Sequence, residues 1–310
     1  MLEQTMELKY EAFLLFHFSH PNIVQLYGEG SIILPNGTVV FYIVVEKLAE
    51  TLQQRLVRCT GRNIKRNIDN MLPTLVSLAN TLSYLHEADA STIYVHRDIK
   101  PDNIGYTADG VLKIFDFGLS GNFSRPTHGK SSLRSPPNAN AEASHSISSN
   151  NSSLAVAVHA TSSPMQIGLS GVKGSVRYMA PEVAMGQVYD EAIDVYSFAL
   201  VMWESLHGKK PYLGLDVATH SRVVCQNGGR PDIDSAMPAP LADTMHNAWN
   251  RHPSKRSTMG DIGLKLQKYL EERGAANTQS SVFPVRRNFS GFFSFGRSAS
   301  TPPTPMESGE

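Results

Sequence analysis

The apolar patterning along these 310 residues predicts an α+β protein in which strands come early and helices fill most of the rest. Three stretches carry that expectation. Residues 31–34 and 39–45 are apolar runs rich in β-branched side chains, and they flank Pro35-Asn36-Gly37, a strong hairpin sequence because Asn and Gly accept the positive φ of a tight turn. Between 72 and 87, Leu75, Leu78, Ala79, Leu82 and Leu85 recur at helical spacing, with Pro73 placed in the first turn. Residues 194–206 are apolar nearly all round, as a helix buried on every side must be.

Taken in order, the first element is a helix over about 3–18, with Leu8, Ala12 and Leu15 on one face. The hairpin follows. The helix over 72–87 then delivers the chain into Ile93-Tyr94-Val95, a short apolar strand.

Composition narrows the class. With 28 basic and 28 acidic residues the formal net charge is zero, so there is no electrostatic footprint for nucleic acid or an anionic membrane. Cys59 and Cys225 are isolated in sequence, which argues for a reduced compartment and against disulfides or a zinc site. No apolar run is long enough to span a bilayer, and Glu3 and Glu7 spoil a secretory leader. Asn36-Gly37-Thr38 and Asn151-Ser152-Ser153 match the glycosylation pattern without a secretory context. These features predict a cytoplasmic protein.

The chemistry is concentrated in His96-Arg97-Asp98-Ile99-Lys100-Pro101-Asp102-Asn103 and, a short way on, Asp116-Phe117-Gly118. Phosphoryl transfer asks for positioning and charge neutralisation more than covalent work. It needs one carboxylate to orient and deprotonate the attacking hydroxyl, and an amide plus a second carboxylate to hold Mg²⁺ against phosphates. Asp98, Asn103 and Asp116 are residues of those types in that order, and Lys100 adds a point charge able to meet a moving phosphate.

Further on stand Gly174-Ser175-Val176-Arg177-Tyr178-Met179-Ala180-Pro181-Glu182, then Asp194-Val195-Tyr196-Ser197-Phe198 with Trp203-Glu204, then His252-Pro253-Ser254-Lys255-Arg256. With all of these in order, the chain resembles the eukaryotic protein kinases from about 7 to 270, and within them the tyrosine-kinase-like group of serine/threonine kinases. The resemblance implies a two-lobed kinase fold with a small β lobe and a mostly helical large lobe. It implies that Asp98 is the catalytic base, that Lys100 neutralises the transferring phosphate, and that Asn103 and Asp116 bind Mg²⁺. ATP would be the cosubstrate, with adenine bonded by the backbone of a hinge at Glu46-Lys47-Leu48, and Lys100, Asn103 and Asp116 against the phosphates. Val45 then stands in the gatekeeper position. Asp194 would tie down the backbone of His96 and Arg97, Glu182 and Arg256 would form an ion pair, and Leu15 would stack on Phe117. Arg97 is the residue that pairs, in relatives, with a phosphorylated side chain of the activation segment, for which Ser170 is the candidate here. Lys100 points to serine/threonine rather than tyrosine acceptors. Phe115, where a smaller residue is common, would narrow the back of the nucleotide pocket.

Two departures shape the remaining expectations. Glu11 matches the helix glutamate of the family, but the glycine-rich loop and the lysine that would precede it do not appear, and Lys9 lies too close to Glu11 on one helix to pair with it. The expected organisation is therefore a small-lobe remnant at 1–48, a large lobe at 49–272 and a tail at 273–310. A Ser/Asn/Ala/Pro-rich insertion at about 124–163 and the tail both read as disordered by composition. A pseudokinase or regulatory binding module is the rival reading; a small-molecule phosphotransferase is disfavoured by Ala180-Pro181-Glu182 and Arg256. Protein substrates are the implied partners. In the tail, Arg297-Ser298-Ala299-Ser300-Thr301-Pro302 resembles sequences bound by 14-3-3 proteins once Ser300 is phosphorylated.

Overall fold

The computed structural model describes residues 2–59, 61, 63–125 and 175–280. Helix α1 (Leu2–His17) buries Ala12, Leu14 and Leu15 on one face and leaves Phe13 and Phe16 on the other. The loop after it is stitched to a distant strand. Ile114 N–H donates to the Asn22 carbonyl at 2.8 Å, Val24 N–H to the Ile114 carbonyl at 3.0 Å, and the Asn22 side-chain amide to the Leu112 carbonyl at 2.8 Å.

Strands β1 (Leu26–Ile33) and β2 (Val39–Val45) form the expected hairpin, paired from Ile33↔Val39 to Leu26↔Val45 with an irregularity between Leu26 and Gly28. Its turn closes as the sequence suggests: Gly37 has φ +80° and its N–H donates to the Leu34 carbonyl at 2.8 Å. The first strand begins earlier than the 31–34 read from the sequence. Gly28 and Gly30 weaken the strand pattern, but Gly30 is there for space, since a Cβ would lie 2.7 Å from the hydroxyl of its cross-strand neighbour Tyr42.

Strand β3 (Glu50–Thr51) leads into α2 (Leu52–Cys59) through a capping box. The Gln54 N–H donates to Thr51 Oγ1 at 3.3 Å, and Thr51 N–H donates to Gln54 Oε1 at 2.8 Å. Helix α3 (Ile64–Glu87) starts at an Asn63 cap, whose Oδ1 accepts the Arg66 N–H at 3.0 Å. It is longer than the 72–87 expected, and Pro73 lies in its interior rather than its first turn. The fully buried Ile68, Met71, Leu72 and Leu75 on either side of Pro73 supply the packing that lets the helix continue across the missing N–H.

Strands β4 (Thr92–Val95), β5 (Ile104–Tyr106), β6 (Leu112–Ile114) and β7 (Gly121–Ser124) frame the loops of interest, with β3-β5-β6 in one antiparallel sheet and β4-β7 in another. After the undescribed stretch come α4 (Pro181–Ala184), α5 (Ala192–His207), α6 (Val217–His220) running into a π-helical turn at Ser221–Gln226, α7 (Ala239–Ala248) and α8 (Met259–Ser280). Helix α5 is buried along its whole length, with Phe198, Ala199, Leu200, Val201 and Met202 fully enclosed. It ends at Gly208, φ +64°, the left-handed cap that glycine supplies without strain.

The insertion expected at about 124–163, together with Ser170, lies outside the described residues apart from Ser124 and Arg125. Helix α8 continues to Ser280 and so runs past 272 into the segment expected as the tail. Good helix formers, Glu271, Glu272, Arg273 and two alanines, carry it onward. Ser300 lies outside the described residues.

Candidate active site

Asp194, at the start of α5, organises the loop that follows β4. One carboxylate oxygen accepts the His96 N–H at 2.8 Å and the other the Arg97 N–H at 2.9 Å, while His86 Nε2 lies 3.1 Å from Asp194 Oδ2. Burial alone would push this carboxyl up, but His86 and the N–H of His96 hold it below the usual carboxylate range. The two backbone bonds fix Arg97 at φ +71°, a conformation a non-glycine residue keeps only when its surroundings insist.

His96 is completely buried, and burial pushes its pKa down, so the ring is neutral at pH 7. Both nitrogens are used in a consistent tautomer: Nε2–H donates to the Phe115 carbonyl at 3.2 Å, and Nδ1 accepts the Asp98 N–H at 3.4 Å. The ring thus ties the loop carrying Asp98 to the residue just before Asp116.

At Asp98 the predicted residues converge. Lys100 Nζ donates to Asp98 Oδ2 at 2.5 Å, and Asn103 Nδ2 donates to the same oxygen at 2.8 Å and to the Asp98 carbonyl at 3.0 Å. Both neighbours use one oxygen, which leaves Oδ1 of Asp98 to accept a proton and Oδ1 of Asn103 to act as a hard oxygen ligand. Asp116 is exposed, with φ +67°. Phe117 beside it is fully buried, its ring 4.8 Å from that of His96 and 5.9 Å from that of Phe18.

Glu11 reaches this loop from α1, its Oε1 accepting the Phe117 N–H at 3.1 Å. Burial raises its pKa, the Phe117 N–H opposes that, and the nearby Asp116 raises it further. Among the described residues no lysine or arginine pairs with Glu11. Lys9 lies instead over the Phe41 ring, 5.5 Å from its centroid.

Glu46, Lys47 and Leu48, the residues expected to form a hinge, lie in the loop between β2 and β3. Glu46 N–H donates to the Gln25 carbonyl at 2.8 Å and its carboxylate pairs with Lys113 at 2.7 Å, so its N–H and charge are already engaged. The side chains of Leu48 and Phe115 meet over Gly105, where an added Cβ would lie 2.6 Å from Leu48 Cδ1 and 3.3 Å from Phe115 Cε1. Gly105, two residues after Asn103, is therefore what lets Leu48 approach Phe115, the residue preceding Asp116. Sequence reading missed it, although an unexplained glycine in a strand is a known sign of close approach.

Two further pairs brace the large lobe. Arg256 binds Glu182 through Nη1 at 2.5 Å and Nη2 at 3.0 Å, and also donates to the carbonyls of Ala192 and Asn250 at 2.9 and 3.0 Å. Tyr178 donates its hydroxyl to Glu204 Oε2 at 2.5 Å, and burial, then the glutamate, pushes the phenol far above its ordinary pKa.

The sequence model of the protein kinase domain matches residues 2–266. The chain belongs to the protein kinase domain family. A probable serine/threonine-protein kinase of Dictyostelium discoideum is 26% identical over 257 residues, covering 83% of this chain and 13% of that protein. Human mitogen-activated protein kinase kinase kinase 7 is 27% identical over 260 residues, 83% of this chain and 34% of that protein. The kinase domain thus spans well under half the length of these curated relatives. Among its described residues no helix is long and apolar enough to cross a membrane.

Proposed function

We propose that this kinase domain transfers the γ-phosphate of ATP to serine and threonine hydroxyls of protein substrates. The observation that carries the reading is the division of the Asp98 carboxylate. Its Oδ2 is held by Lys100 and Asn103, so Oδ1 faces an incoming hydroxyl in a fixed orientation. As the substrate oxygen bonds to phosphorus and the bridging oxygen of ATP leaves, the hydroxyl proton passes to Asp98. Lys100 then stays close to the negative charge moving between the two oxygens. Asn103 Oδ1 and the exposed Asp116 carboxylate are hard oxygen donors that fit Mg²⁺, which keeps few protein ligands and takes the rest from phosphates and water. When bound, the metal supplies charge neutralisation at the phosphates.

The tyrosine-kinase-like grouping rests on the ordered motifs and is supported by the likeness to a mitogen-activated protein kinase kinase kinase. A small-lobe portion at 1–48 and a large-lobe portion at 49–272 are the matching organisation. A cytoplasmic site accords with Cys225 being a buried free thiol. Radiolabelled ATP and a generic protein substrate test the reading: label should appear on serine and threonine. Label absent from an otherwise folded domain, or confined to tyrosine, would overturn it in favour of a binding module or a different acceptor.

The tail carries a separate proposal, 14-3-3 binding through phosphorylated Ser300. A doubly charged phosphate would meet arginines in the partner's groove while Pro302 turns the chain out. A peptide over 287–307 phosphorylated at Ser300 should bind a 14-3-3 dimer at micromolar affinity or tighter and its unphosphorylated twin should not; equal binding of the two would refute it.

A further inference from the structure

Arg97 makes a contact that the phosphotransfer reading does not use. Its backbone belongs to the catalytic loop, but its guanidinium turns away toward Tyr189, in the loop before α5. Arg97 Nη2 donates to the Tyr189 hydroxyl at 2.6 Å, and its Cζ lies 5.5 Å from the centre of the Tyr189 ring. On the other side, Nη1 sits 2.7 Å from where a Cβ on Gly121 would be. Gly121 is the first residue of β7, paired with Val95 immediately before the catalytic loop. Phe123, two residues on in the same strand, packs edge-on against Tyr189 with ring centroids 5.7 Å apart.

We propose that Tyr189 is a positioning residue that clasps Arg97 and β7 together, holding the strand after Asp116 beside the catalytic loop. The proposal rests on the kinase reading only for its consequence, since the clasp itself is a matter of geometry. Tyr189 serves through both parts of its side chain. The ring gives Phe123 an apolar partner and the guanidinium a π face, while the hydroxyl accepts a charge-assisted hydrogen bond. Gly121 has no side chain because the guanidinium occupies that space. Asp98 follows Arg97 directly, and Asp116 lies five residues before Gly121, so the clasp bears on both loops of the site.

The hydroxyl is a neutral acceptor for a full positive charge. An oxyanion at the same place would satisfy Arg97 more strongly. Tyr189 thus offers Arg97 a neutral partner that holds the two loops together, and its removal should leave a place that an anion can fill.

The test is amide hydrogen exchange of the whole chain, read without ATP or substrate, for the wild type, Tyr189→Phe and Tyr189→Ala, each with and without millimolar sodium sulfate. In Tyr189→Phe the amides of residues 121–124 should exchange about tenfold faster, the scale of one lost hydrogen bond to a charged group. Sulfate should restore most of that protection in Tyr189→Phe while changing the wild type little, and Tyr189→Ala, which also loses the ring, should be faster still and less rescued. Unchanged exchange in Tyr189→Phe would overturn the proposal. So would acceleration spread equally over 192–207, which would report general destabilisation, or a sulfate effect as large in the wild type as in the variant. A domain that fails to phosphorylate protein but shows this exchange pattern would refute the kinase reading and leave the clasp standing.

Discussion

Two aromatic residues, Phe117 and Phe16, contrast the packed and the exposed parts of the domain. Phe117 is fully buried between His96 and Phe18, whereas Phe16 on α1 is 86% exposed, with Ile33 at 74% and Val39 at 59% on the hairpin. Around Asp194 the carboxylate is fully bonded and the apolar side chains are enclosed; around β1 and β2 both faces keep apolar side chains in water. A two-stranded hairpin of this kind is marginal by itself. The loops that carry Asp98 and Asp116 are thus borne by packed core, while α1 and the hairpin hold Glu11 and lead to Glu46 from a thinner frame.

Substitutions sharpen that contrast. The largest effect is expected at the buried ion pair, where Glu182→Ala strands Arg256 without its carboxylate and should cost about 3–5 kcal/mol in denaturant unfolding. Leu78→Ala, in the middle of α3 and fully buried, should cost about 2–5 kcal/mol. A loss below 1 kcal/mol at either position would mean the large lobe is as loosely held as the hairpin.

Glu11 gives a smaller, pH-dependent effect. Its carboxyl is held above the ordinary value of 4.5, so the folded protein binds that proton more tightly than the unfolded chain. Ionising it costs stability, a cost absent well below pH 4.5 and fully present above the folded value. Glu11→Gln keeps the acceptor for Phe117 and removes the charge, so its melting temperature should exceed that of the wild type near pH 7, with the gap closing as pH falls toward 4.5. A gap independent of pH would show that the charge is not what matters. The smallest effect belongs to the hairpin: Ile33→Ala should change stability by no more than about 0.5 kcal/mol.

Much of the site was legible because its chemistry needs particular side chains at fixed spacing. Asp98, Lys100 and Asn103 lie within one loop, and the partners Asp194 and Arg256 sit in motifs of their own. The less legible features depend on contacts across the fold. The start of β1 was hidden by Gly28 and Gly30, the second of which makes room for a cross-strand tyrosine, and the first turns of α3 were hidden by a proline that flanking core residues override. Gly105 and Tyr189 act on Leu48, Phe115 and Arg97, neighbours distant in sequence, and periodicity carries no information about such meetings.

The central claim is a division of roles at the catalytic loop, and calorimetric titration of ATP with and without Mg²⁺ tests it most directly. Asp98→Asn should bind Mg-ATP nearly as the wild type does, because it removes the proton acceptor and leaves the metal ligands in place. Turnover on a protein substrate should fall by at least about a hundredfold, the lower end of what a positioned base contributes. Asp116→Asn should lose the Mg²⁺-dependent part of ATP binding as well as turnover. Indistinguishable ATP and Mg²⁺ binding by the two variants would contradict the account.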